Sequence, residues 1–330
     1  MDLSCTYLGL KLSTPLIVGA SPFADDTYTA RLVQDAGASA IVMRSLFEEQ
    51  IYLYELAQQS PADRSGRRRA LEGTVFPSPA EYQLNPDQYL RQIGQLKAAL
   101  AIPVIASLNG CQPGGWIDFA RRFESAGADA IELNLYHLVD DPNSSSAEIE
   151  AEMLETVRLM KTAVRIPVAV KLQPYYTALV HFARAVEQTG ADGIILFNRL
   201  YQSEISAEQP EFVAQLKLSE PDELRLRLRW LSLLAPHVHC SLAVTGGVHS
   251  GEDAVKAILG GADAIQLVSA LLKHGTRYLG TIAEGITRWM AEHGYTKISE
   301  FRGRMTLPLS PEATAIERGD YQRLLQSWRL

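Results

Sequence analysis

The sequence predicts an α/β chain folded as a (β/α)8 TIM barrel, and three observations carry that expectation. A phrase recurs four times: Ala36-Gly37-Ala38-Ser39-Ala40-Ile41, Ala126-Gly127-Ala128-Asp129-Ala130-Ile131, Thr189-Gly190-Ala191-Asp192-Gly193-Ile194 and Gly260-Gly261-Ala262-Asp263-Ala264-Ile265. Eight short apolar runs, bounded by Pro, Gly or polar residues, punctuate the chain. Stretches of helical periodicity separate nearly all of them, and eight such units in about 270 residues are what a closed barrel requires. A doubly wound open sheet is the alternative. It usually carries Gly-x-Gly-x-x-Gly after its first strand, and none follows Leu16-Ile17-Val18.

Residues 3–13 read as a hairpin turning near Gly9, placed ahead of the barrel to plug its bottom. The first barrel strand is Leu16-Ile17-Val18 and the second runs from Ile41 to about Met43. Some 60 residues then intervene before the third strand, Pro103-Val104-Ile105-Ala106, roughly twice what a regular unit takes. This insertion, residues 45–100, sits on the catalytic side of a strand. It carries Arg64, Arg67, Arg68 and Arg69, which read as a solvated loop or as an anion-binding cluster. Ile131 opens the fourth strand, Pro167-Val168-Ala169-Val170 is the fifth and Ile194 opens the sixth. Ser241-Leu242-Ala243-Val244 and the run from Ile265 complete the set. The runs lack polar alternation, as in parallel strands covered on both faces. The Gly of each phrase suits a left-handed helix C′ position, making the phrase an αβ joint. The tail, 297–330, is expected to pack outside the barrel, leaving 1–330 a single domain.

Composition narrows the function. Of 330 residues, 47% are hydrophobic and 21% charged, as in an ordinary globular chain able to bury a large core. Lys+Arg 31 against Asp+Glu 38 gives a net charge of −7, which disfavours nucleic-acid and anionic-membrane partners and favours a small-molecule substrate. Cys5, Cys111 and Cys240 form no Cys-x-x-Cys, so neither a disulfide framework nor a metal site is expected. With no basic-then-apolar leader and no run of 18 apolar residues, the expected location is the cytoplasm.

In a parallel barrel the active site lies at the C-terminal strand ends. Read in order, those ends are Ala20-Ser21, Arg44-Ser45, Asn109, Asn134, Lys171, Asn198, Gly246-Gly247 and Ser269, a polar ring with two cations and three amides. Gly246-Gly247 and Ser269 match a phosphate cradle, with a bare Gly-Gly turn as the alternative. Lys171 follows a buried run, so it needs an anionic or electron-rich partner; a salt bridge to Glu132 is the simpler option. His137 lies just beyond a strand end, as a packed neutral ring or a catalytic base, whereas His249 reads as a loop or supporting residue.

The chain resembles the dihydroorotate dehydrogenase family over nearly its whole length to about residue 300. The matching pieces are Tyr7-Leu8-Gly9-Leu10 with Thr14-Pro15-Leu16, Gly19-Ala20-Ser21-Pro22, Glu132-Leu133-Asn134-Leu135, Val170-Lys171-Leu172-Gln173-Pro174-Tyr175, Thr245-Gly246-Gly247-Val248 and Gln266-Leu267-Val268-Ser269-Ala270-Leu271. It is most similar to the soluble branch, in a dihydroorotate dehydrogenase-like subgroup. The resemblance implies FMN, held by Ala20, Ser21, Arg44, Asn109, Lys171, Gly246, Gly247 and Ser269, with Lys171 at the N1/O2 edge of the ring. It places Asn134 and Asn198 on the substrate and His137 and Lys171 in catalysis. The implied reaction takes a proton from C5 and a hydride from C6 of dihydroorotate, in pyrimidine biosynthesis. A homodimer is compatible with the soluble branch.

The chain also departs from that family. The family's Asn-Leu-Ser-Cys-Pro-Asn, whose Cys or Ser is the general base, is here Asn134-Leu135-Tyr136-His137-Leu138-Val139. An imidazole, with an ordinary pKa of ~6.5, accepts a proton more readily than a thiol. The family's Lys after the second strand is Arg44, which keeps the charge but changes its reach, and its Gly-Asn-Pro loop has no counterpart in residues 45–90. These differences leave room for a different substrate on the same flavin barrel, or for a non-catalytic barrel that binds flavin or phosphate.

Overall fold

All four glycines of the recurring phrase adopt positive φ: Gly37 at 104°, Gly127 at 99°, Gly190 at 96° and Gly261 at 113°. After Gly37, Gly127 and Gly261 the N–H of the following residue reaches back into the last helical turn, as Ala128 N–H does to Phe123 C=O at 3.1 Å, which is the Schellman closure; after Gly190 the glycine's own N–H makes the return bond, to Glu187 C=O. The fourth residue of the phrase has a separate task. Ser39 Oγ accepts from Thr14 N–H, Asp129 from Val104 N–H, Asp192 from Val168 N–H and Asp263 from Leu242 N–H, at 2.7–2.9 Å. Each phrase thus stops a helix and also caps the first free amide of the barrel strand next door.

The computed structural model describes residues 1–58, 82–110, 114–136, 141–199, 202–307 and 311–328. A hairpin of β1 (Cys5–Tyr7) and β2 (Leu10–Leu12) comes first. The barrel strands are β3 (Leu16–Val18), β4 (Ile41–Phe47), β5 (Val104–Asn109), β6 (Ala130–Asn134), β7 (Val168–Leu172), β8 (Gly193–Leu196), β11 (Ser241–Thr245) and β12 (Ala264–Leu267). They close in the order β11-β12-β3-β4-β5-β6-β7-β8, all parallel, so the open-sheet alternative does not hold. Between β8 and β11 a small hairpin, β9 (Glu204–Ser206) and β10 (Glu211–Val213), adds a feature that the strand count did not anticipate.

Alternation along the strands explains how the barrel is filled. Ala130, Ala169, Ala243 and Ala264 form a lower inner layer, small enough for Tyr7, Leu8 and Leu12 of the hairpin to enter beneath it. Two residues further along these strands stand Glu132, Lys171, Thr245 and Gln266, so the upper interior is polar. The outward residues, including Leu16, Val18, Ile131 and Val170, pack under the helices.

The second unit differs from the sequence reading. β4 extends to Phe47, with a register shift against β5 between Val42 and Ser45, and α1 (Thr27–Asp35) precedes it. α2 (Glu48–Gln58) follows β4, and α3 (Pro86–Ala99) is the regular helix of this unit, started by an Asn85–Gln88 capping box. Within the expected insertion, 45–100, the described residues thus include the end of β4, α2 and the regular helix α3. Arg64, Arg67, Arg68 and Arg69 lie outside the described residues, as does Cys111.

The other helices are α4 (Asp118–Ser125), α5 (Ser146–Ala163), α6 (Leu179–Gln188), α7 (Leu224–Leu234), α8 (Gly251–Leu259), α9 (Ser269–His274), α10 (Tyr278–Glu292) and α11 (Pro311–Ser327). Beyond α10 the chain crosses the outside of the barrel: Gly303 and Met305 donate to carbonyls of α8, and Leu307 to Ser232 C=O of α7. Among the described residues no helix is long and apolar enough to cross a membrane.

Candidate active site

The strand ends open into one cavity of about 760 Å³, within the range of sites that enclose small molecules. Ala20, Ser21, Arg44, Asn109, Asn134, Lys171, Asn198, Gly246 and Ser269 all face it. Of the other residues expected there, Gly247 does not line it. Gly247 lies behind the turn: its N–H donates to Ser219 Oγ at 3.1 Å, and its φ of 82° packs it so closely on the start of α7 that a Cβ would strike Leu224 N. Its amide is thus engaged within the chain. His137 lies outside the described residues.

At the floor of the cavity three inward side chains from β6, β7 and β12 form a closed set. Lys171 Nζ donates to Glu132 Oε1 at 3.0 Å and to Gln266 Oε1 at 3.1 Å, while Gln266 Nε2 donates to Glu132 Oε2 at 2.5 Å. Glu132 is 0% exposed and Lys171 6%. The ammonium therefore has the simpler of the two partners weighed from the sequence, the Glu132 carboxylate, and it also lines the cavity. Two of its three protons are engaged, and the third is left for a ligand. Gln266, part of a matching piece with no site role expected of it, belongs to the set, and a lone glutamine on an otherwise apolar barrel strand is the signal that marks it.

Asn134 is anchored to the wall. Its Nδ2 donates to Leu108 C=O at 3.1 Å and to Ser107 Oγ and Ser45 Oγ at 2.9 and 3.1 Å. A carbonyl acceptor at Leu108 fixes the amide orientation. Ser107 is pinned in turn by Tyr89, whose hydroxyl accepts from Ser107 N–H at 2.9 Å. Arg44 reaches the rim from the bulged strand and is held by both carboxylate oxygens of Asp25, at 2.8 and 3.0 Å. Ser21 Oγ is turned back onto Gly19 C=O at 2.7 Å, so Ser21 offers the cavity its backbone more than its hydroxyl. Asn198 carries no side-chain bond among the described residues, and its N–H donates to Leu172 C=O.

Gly246, Ser269, Ser219 and Arg227 line the cavity as well. Ser269 Oγ accepts from Ser219 N–H at 2.9 Å, which leaves its own proton to give. Arg227, on α7, is 6% exposed; its Nε donates to Thr245 C=O at 2.8 Å and its Nη1 to Glu223 C=O at 2.7 Å. Burial lowers the guanidinium's pKa from its ordinary value, against the pull of Glu223. This role is not legible in the sequence, since residues 224–229 alternate Leu and Arg and only helix packing decides which Arg turns inward. His249 sits behind Val248 with its Nε2 buried and unpartnered; burial is the main cause lowering its pKa.

The cavity thus offers a buried ammonium at one place, and hydroxyls, a glycine turn and a guanidinium at another, between apolar walls such as Phe197 and Val268. This donor set suits a ligand with an electron-rich ring edge and an anionic group.

The family described as dihydroorotate dehydrogenase matches residues 82–290. A protein of Aeropyrum pernix assigned by name to dihydroorotate dehydrogenase A (fumarate) is 28% identical over 92% of this chain and 97% of its own. The catalytic subunit of dihydroorotate dehydrogenase B (NAD(+)) from Thermoplasma acidophilum is 25% identical over 92% and 98%. The NAD-dependent dihydropyrimidine dehydrogenase subunit PreA of Escherichia coli K12 is 24% identical over 92% of this chain and 76% of its own. With the family matched across most of the barrel, the chain belongs to the dihydroorotate dehydrogenase family.

Proposed function

We propose that this chain is an FMN-dependent oxidoreductase that converts dihydroorotate to orotate. The observation that carries the reading is Lys171: a buried ammonium, paired with Glu132, that lines the same cavity as Gly246, Ser269 and the Arg227 guanidinium. Bound FMN supplies a two-electron acceptor at that place. Lys171 would hold positive charge beside that acceptor, and Glu132 with Gln266 keeps the ammonium from swinging away. Gly246 and Ser269 take the phosphate, Ala20 and Ser21 line the ring, and Arg44 and Asn109 close the rim. Asn134 and Asn198 orient the substrate, and His137 accepts the C5 proton.

A second reading is an FMN barrel acting on a related ring. It is favoured by Tyr136, His137 and Val139, which stand where the family's motif has Ser, Cys and Asn, and by the PreA relative, whose name refers to a dihydropyrimidine.

The test is anaerobic titration of FMN-loaded protein. Dihydroorotate is expected to bleach the flavin absorbance, and fumarate, a quinone or a dye to restore it. Bleaching by a dihydropyrimidine but not by dihydroorotate selects the second reading. If the protein takes up no FMN, both readings fail. Loss of turnover in His137→Asn and Lys171→Met separates an enzyme from an idle flavin-binding barrel.

A further inference from the structure

Arg227 stands apart from the other arginines of α7: it is buried, while its neighbour Arg225 is almost fully exposed. The helix turns it beneath the glycine turn that follows β11. There, Nε and Nη1 are spent on the carbonyls of Thr245 and Glu223. Nη2 has no acceptor among the described residues, and a Cβ on Gly246 would lie 2.9 Å from it. A glycine at 246 is therefore required for the guanidinium to come this close. A buried guanidinium without a full ion pair is costly, and the Glu223 carboxylate approaches Nη1 only to 3.7 Å while giving its short contact, 2.6 Å, to Arg199. Ser219 Oγ and Ser269 Oγ lie on the same side of the cavity.

We propose that Arg227 is the cation for the dianionic phosphate of the bound flavin, so that it sets selectivity for FMN over the uncharged riboflavin. This rests on the flavin reading above and goes beyond it. The expected cradle, Gly246, Gly247 and Ser269, contained no charge, and with Gly247 committed to Ser219 it has also lost an amide. A guanidinium presenting an open N–H supplies both a charge and a donor, the combination that phosphate oxygens bind most strongly. Thr245 and Glu223 C=O fix its plane beforehand, so little side-chain freedom is lost on binding.

The test uses the full chain freed of flavin, titrated with FMN and with riboflavin and followed by flavin fluorescence. Arg227→Gln is expected to weaken FMN about 10- to 100-fold and to leave riboflavin within about twofold. Arg227→Lys keeps the charge without the fork and should fall between; it carries the test if the Gln variant does not fold, as checked by circular dichroism. An unchanged FMN-to-riboflavin ratio in the folded variant overturns the proposal. If wild-type protein binds neither flavin, the flavin reading fails instead. The anion site is then still tested with inorganic phosphate, which should raise the melting temperature of wild type and not of Arg227→Gln; an equal rise in both rejects it.

Discussion

Lys171 Nζ lies 3.0 Å from Glu132 Oε1 at the floor of the cavity, with 8% and 1% of the two side chains exposed. A pair this deep depends on both members, because removing one leaves the other charged in a medium that cannot solvate it. Lys171→Met should therefore lower stability by about 3–5 kcal/mol, and the double variant Lys171→Met, Glu132→Gln by clearly less than the sum of the single changes. Urea unfolding of all three variants checks this, and additive losses would show that the two groups do not interact. The same Lys171 variant should lose at least about a hundredfold in flavin reduction.

Gly247 adopts φ 82° against the start of α7. Gly247→Ala should cost about 1–3 kcal/mol, since the left-handed conformation is strained for alanine and the methyl group has no room beside Leu224. Because α7 carries Arg227, FMN affinity should fall as well. A variant with wild-type melting temperature and affinity would contradict this packing.

Asn134 gives its amide protons to the wall, including Leu108 C=O. Asn134→Asp places a carboxylate oxygen against that carbonyl and should destabilise by about 1–3 kcal/mol near neutral pH, with recovery in acid as the new carboxyl gains a proton. Thermal melts at pH 7.5 and pH 5 read the difference.

His249 has its pKa lowered chiefly by burial, with Lys273 acting in the same direction and Ser219 C=O, Glu220 and Asp253 opposing. The folded chain resists a proton that the unfolded chain accepts near ~6.5. This contribution to stability is complete above that pH and is lost as pH falls below it. His249→Gln should flatten the decline in urea midpoint between pH 6.5 and 5; an identical decline in wild type and variant would exclude His249 as a source.

Cys5 and Cys240 are both pushed up to about 12, in each case first by burial and then by nearby carboxylates, Asp263 for Cys5 and Glu187 for Cys240. At pH 8 only about one thiol in ten thousand is then a thiolate. Iodoacetamide should leave both unmodified in native protein and alkylate both in urea, as peptide mass spectrometry would report.

Much of the barrel is legible in the residues alone, because its signals are local. A glycine at a helix C′ position, followed by a small residue and an apolar run, forms an αβ joint whatever surrounds it, and four copies with four further apolar runs make up the eight strands. The polar strand ends follow from the same logic, since a run that stops being apolar marks where the chain leaves the core. What local signals could not fix were the partners. Nothing in residues 130–134 or 264–267 states that Glu132 and Gln266 will meet Lys171 across the barrel, because that meeting depends on strand register and closure. Gly247 looked like a phosphate donor until α7 packed on it and Ser219 took its amide. Arg227 is one of three arginines at every second position of a helix, and only the docking angle of that helix turned it under Gly246. The sequence by itself determined which elements form and where the mouth of the barrel lies; tertiary packing decided which of the polar groups there are spent within the protein and which remain free for a ligand.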